Sequence, residues 1–110
     1  MNDFEYFEMM LKLALGVETI FEELEEALNK CNDGEKIGEA ITDKFKKLHG
    51  RTIEQRKLLP ETNVIPIECV ILLDLRNAIE FTCKKKYVKE HDKTLLLGIS
   101  KHIYRIFKNI

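Results

Sequence analysis

The densest carboxylates of the chain are Glu22, Glu23, Glu25 and Glu26, and Glu39 and Asp43 follow a short distance on. Glu22 and Glu26 are four residues apart, as are Glu39 and Asp43, so on helices each pair leaves one face a single turn apart. Two such pairs on aligned helices would converge on Mg²⁺, a hard cation that takes oxygen ligands and serves phosphate chemistry. A glutamate-rich face is also what a highly charged protein turns to water. Solvation is the simpler reading of these residues, so no metal and no cofactor is expected.

The densest basic feature is Lys84-Lys85-Lys86-Tyr87 with Lys89. Four ammonium groups beside an aromatic ring suit a nucleic-acid backbone and one stacked base, although lysines at a helix C-terminus also answer the helix dipole. Lys44, Lys46, Lys47, Arg51, Arg56 and Lys57 form a second basic region, and Lys101, Arg105 and Lys108 a third. These matter for binding only if they share a face. No Gly-rich phosphate loop, zinc-finger spacing or helix-turn-helix pattern accompanies them. His49, His91 and His102 lack ligand spacing, and the single serine, Ser100, has no triad around it in the sequence. No catalytic residue is assigned.

Glu22-Glu23-Leu24-Glu25-Glu26 resembles the EExxE that opens the metal site of all-α nucleoside triphosphate pyrophosphohydrolases of the MazG type. The resemblance covers residues 22 to 43 only, and it implies an Mg²⁺-dependent hydrolase as the least favoured alternative. That family continues with ExxD, whereas Glu39 and Asp43 have three residues between them, which turns one carboxylate by about 100° around the helix.

Charge is divided along the chain. Through residue 40 eleven acidic residues stand against three basic ones, a net of −8; the remainder has fifteen basic and eight acidic, a net of +7. The total of −1 hides this polarity, which favours docking of opposite patches within or between molecules. The three cysteines, Cys31, Cys69 and Cys83, form no CxxC pair and fall at apolar helical positions, as buried thiols of a reducing compartment do. The acidic N-terminal stretch is the wrong charge for a targeting signal, and no apolar run is long enough to span a membrane. A cytoplasmic location without membrane contact is expected.

Hydrophobic periodicity supplies the scaffold. Phe7, Met10, Ala14, Val17, Phe21, Leu24, Leu28 and Cys31 alternate at spacings of three and four, the seam of a helix over about residues 4–31 with Asp3 as its cap. Gly16 in its interior signals close approach of a neighbour. A second helix over 35–49 stops at Gly50, and Thr52 with Gln55 forms a capping box for a short helical turn near 53–59. A loop occupies 60–65. A third helix over 66–85 is apolar nearly all round and should be the most buried, with Arg76 and Glu80 as an i,i+4 pair and Asp74 in need of a partner such as Arg105 or a backbone group. A fourth, over 92–109 and capped by Asp92, repeats the seam with Leu96, Ile99, Ile103, Ile106 and Ile110.

These elements predict one all-α domain over 1–110, an antiparallel bundle of four main helices. The chain spends its residues on seams and charged faces, so the function expected is non-enzymatic protein–protein binding, as regulator, inhibitor, immunity factor or assembly subunit. Nucleic-acid binding through the lysines, as a small subunit, is the alternative. Met9, Leu13 and Leu15 widen the first seam, so a homodimer with Met9 and Leu13 in its interface is expected.

Overall fold

The computed structural model describes residues 2–59 and 65–110, and among these the chain is four helices without a strand. They are α1 (Asp3–Lys30), α2 (Gly34–Arg56), α3 (Ile67–Cys83) and α4 (Glu90–Lys108). Successive helices run antiparallel: Phe21 of α1 meets Phe45 of α2 edge to face, Thr52 of α2 meets Asp74 of α3, Glu80 of α3 meets Ser100 of α4, and Glu23 of α1 meets His102 of α4. α3 touches all three other helices and contributes eight buried residues, Asp74 and Thr82 among them, to the interior. The apolar side chains on nearly every side of α3 make it the central element, as its sequence predicts.

The core is built from Leu13, Ile20 and Leu24 of α1, Ile37 and Ile41 of α2, Leu72, Leu75 and Ile79 of α3, and Leu96, Ile99 and Ile103 of α4. Its stripe on α1 differs from the predicted seam. Phe7, Ala14 and Phe21 are exposed, whereas Leu13, Ile20, Leu24 and Ala27 are buried. A strict heptad drifts by about 20° per repeat on a straight 3.6-residue helix, so the seam begins on the outer face at Phe7 and reaches the inner one only near Leu24. Gly16 does mark a close approach. A methyl group there would lie 3.2 Å from Ile106 Cδ1 of α4.

The helix ends correct several expectations. Asn2, rather than Asp3, caps α1, its Oδ1 accepting the Glu5 N–H at 2.8 Å. α2 passes through Gly50 and ends at Arg56, so the stop at residue 49 and the separate turn near 53–59 merge into one helix. Tertiary bonds outweigh the roughly 1 kcal/mol penalty of an interior glycine. His49 Nδ1 lies 3.1 Å from Asp74 Oδ2, and the Thr52 hydroxyl shares its hydrogen between the Leu48 carbonyl, at 2.9 Å, and Asp74 Oδ1, at 3.0 Å. Thr52 is therefore a mid-helix residue rather than a cap, and the partners of buried Asp74 are His49 and Thr52 rather than Arg105. The loop predicted over 60–65 lies outside the described residues except for Ile65.

Asp92 does not cap α4, which begins two residues earlier. It is fully buried, and its two oxygens accept the backbone N–H groups of Asn32, at 3.0 Å, and Asp33, at 3.3 Å. One carboxylate thus fastens the start of α4 to the turn between α1 and α2. Gly34 completes that turn, because a Cβ at this position would collide with the Leu28 carbonyl oxygen.

Candidate functional site

α1 is apolar on two opposite faces. At 100° per residue, Phe4, Phe7, Leu11 and Leu15 fall roughly 160° around the helix from the Leu13, Ile20 and Leu24 stripe that enters the core. Their exposures are 74%, 66%, 51% and 55%. The same outer face changes character at Glu18 and continues through Glu22 and Glu25, all exposed, as a solvated face should. Its N-terminal half is instead phenylalanine and leucine, and none of the described helices covers it. Scattered exposed apolar residues are ordinary; these four are aligned along three turns of one helix as a continuous exposed stripe.

Met9 and Leu13, the residues expected in an interface, belong to the inner face. Leu13 has no exposed surface, and Met9 is half-buried against the core. Their apolar character is used within the bundle, and the surface left open is the stripe of Phe4, Phe7, Leu11 and Leu15. The signal for it was present as the excess of apolar residues on α1. Which face was surplus depended on where α4 docks.

The lysine cluster lies in the turn joining α3 to α4. Lys84, Lys85, Lys86 and Lys89 are exposed, while Tyr87 is half-buried against the core. The Lys36 ammonium sits 4.1 Å above the Tyr87 ring, so that ring already carries a cation. Neighbouring Phe81 carries two, Lys44 at 4.1 Å and Lys85 at 5.0 Å. Stacking of lysines on aromatic faces is a structural use of these cations. The antiparallel pairing of α2 with α3 brings in Lys36 and Lys44, which sequence distance had hidden.

The carboxylates do not converge. Glu22, Glu26, Glu39 and Asp43 are all exposed, and Glu26 pairs with Lys30 at 3.2 Å. Among the described residues no three His, Cys, Asp or Glu side chains gather closely enough to hold a metal ion. On the side of α1 toward α2, Phe21 meets Phe45 and Leu28 meets the open side of Gly38. Helix–helix contact here is apolar, and the glutamates flank it on the water side.

Two of the three histidines, His49 and His102, serve as cross-braces, whereas His91 is exposed. His49 joins α2 to Asp74 and stacks on Phe45, with ring centroids 5.3 Å apart. His102 joins α4 to Glu23 of α1, with Nδ1 donating to Oε2 at 2.7 Å. The cysteine thiols are poor nucleophiles: burial pushes the Cys31 thiol up to about 11, with Asp92 and Cys83 adding to the effect, and burial also raises Cys69 and Cys83. All three are free.

A shallow groove of about 440 Å³ opens between α3 and α4 on the side away from α1. Arg76, Lys101, Arg105 and Lys108 line it around Tyr104, with Glu80 and Ser100 at one end. Arg76 lies over the Tyr104 ring, 5.6 Å from its centroid. Its Nε is 3.3 Å from Glu80 Oε1, the oxygen that also accepts the Ser100 hydroxyl at 2.8 Å. The third basic region of the sequence therefore faces a cation of α3. No described helix is long and apolar enough to cross a membrane. No protein-family model matches the chain, and neither does any curated protein or solved structure.

Proposed function

We propose that the protein is a non-enzymatic binding module that works by pairing the outer face of α1 with a helix of another chain, a second copy of itself in the first instance. The observation that carries this reading is the exposed alignment of Phe4, Phe7, Leu11 and Leu15 opposite the core-facing stripe. Twofold pairing buries the same patch on both partners. In an antiparallel pair over residues 4–15, Glu18 of each copy falls beside the N-terminal end of the partner's α1, where the helix dipole favours a carboxylate.

Four side chains that are each more than half exposed return about 1 to 1.5 kcal/mol apiece when covered, on the order of 10 kcal/mol for two copies. That is comparable with the roughly 4 to 15 kcal/mol cost of association, so the dimer is concentration-dependent. Light scattering across a hundredfold dilution tests it. Twice the 12.9 kDa chain mass at high concentration, falling to a single chain on dilution and lost altogether in Phe7→Lys, Leu11→Lys, is expected. A dimer whose mass is unmoved by that double substitution, or a single-chain mass at every concentration, overturns self-pairing through this face.

A further inference from the structure

We infer that the α3–α4 groove is a binding site for single-stranded nucleic acid, with the backbone held by Arg76, Lys101, Arg105 and Lys108 and a base set against Tyr104. This inference is independent of whether α1 pairs. Four cations face a single carboxylate there, and that carboxylate is already engaged by Ser100 and Arg76. Among the described residues, Lys101, Arg105 and Lys108 form no ion pair. They are crowded like charges without a counter-ion, a state that an incoming polyanion relieves. The dipole of α4 accounts for cations in its last turn, but not for Lys101 earlier in the helix, nor for Arg76 on α3.

Geometry selects the kind of polyanion. Lys101, Arg105 and Lys108 follow each other at four and three residues along one face, so the row is about 10 Å long. That length suits a short run of linked phosphates rather than one isolated anion. Tyr104 is 54% exposed in the middle of the row, and the Arg76 guanidinium lies over one face of its ring. An aromatic ring and a guanidinium plane among cations are the usual platform for an unpaired base. A duplex keeps its bases stacked and has no use for either. The track also continues. Arg76 and Glu80 are i,i+4 neighbours on α3, and Lys84, the C-cap that follows at the same spacing, leads the face of the groove to the exposed lysines of the turn after that helix.

Fluorescence anisotropy with a labelled oligo(dT) of about ten nucleotides tests the site. If three to four phosphates are neutralised, log affinity falls with log salt at a slope of about −2 to −3, a loss of roughly 20- to 50-fold between 50 and 200 mM salt. Arg105→Glu with Lys108→Glu abolishes binding, and both residues are exposed, so circular dichroism should show an unchanged fold. Tyr104→Ala costs about tenfold and Tyr104→Phe restores it, because the ring rather than the hydroxyl carries the base. The inference is overturned by absence of binding at 50 mM salt, or by affinity that survives the charge reversal. Equal binding of a duplex of the same length, or displacement of the oligonucleotide by a hexaglutamate peptide at equal charge concentration, overturns it as well.

Discussion

Asp92→Ala is expected to cost about 2 to 3 kcal/mol of stability. The carboxylate has no exposed surface, and its two oxygens serve two backbone N–H groups, those of Asn32 and Asp33, in the turn between α1 and α2. A hydrogen bond to a charged group is worth roughly 1.5 to 3 kcal/mol, and deletion of the acceptor leaves both donors at a part-buried turn unserved. The cost of holding a carboxylate in the interior, which alanine removes, takes back part of the sum. For a chain of this size about 3 kcal/mol corresponds to a fall in Tm on the order of 10 °C. Urea unfolding followed by circular dichroism at helical wavelengths measures it directly, since the chain has no tryptophan. Asp92→Asn, which keeps one carbonyl acceptor, should lose about half as much. Glu90→Ala, in the same first turn but exposed, should lose less than about 0.5 kcal/mol. If Asp92→Ala and Glu90→Ala cost the same, Asp92 acts only on its own helix and the cross-brace argument is wrong.

Gly50→Ala and Gly98→Ala should each stabilise the fold by about 0.5 to 1 kcal/mol, because both glycines lie inside helices with nothing within 4 Å of an added methyl; a loss of stability at either site contradicts the helix continuity described. Gly16→Ala, which must displace Ile106 Cδ1 at 3.2 Å, should gain less than either, and the same urea titration ranks them. With its thiol pushed up to about 11 from an ordinary 9.0, Cys31 holds about a hundredfold less thiolate at pH 8, of which higher basicity returns about tenfold in nucleophilicity. Disulfide-reagent kinetics on a variant retaining only Cys31 should therefore run about tenfold slower than on a free thiol, and equal rates would refute the burial argument. Phe4→Ser with Leu15→Ser should weaken any self-association while leaving the urea midpoint within about 0.5 kcal/mol of the parent; a large loss of stability would place these side chains in the core instead.

The sequence by itself determined the class of fold. Apolar residues at spacings of three and four are sufficient to specify amphipathic helices, and four of them in one short chain have few ways to bury their faces. It also showed that α3, apolar nearly all round, would lie centrally, and that Gly16 marked a close approach. Four features were decided only by tertiary structure. Which face of α1 turns inward depended on the docking of α4, since a helix with apolar residues on both sides presents two equivalent choices until a partner takes one, and the heptad reading chose an intermediate direction. The continuity of α2 through Gly50 depended on Asp74, a residue of another helix reaching His49 and Thr52, whereas local propensity alone favoured a stop. The partners of Asp92 and the grouping of Arg76 with Lys101, Arg105 and Lys108 are contacts between residues about 25 to 60 positions apart in the chain. Local periodicity carries no information at that separation. Packing of four apolar stripes sets the rotation of each helix, and that rotation decides which charged faces meet.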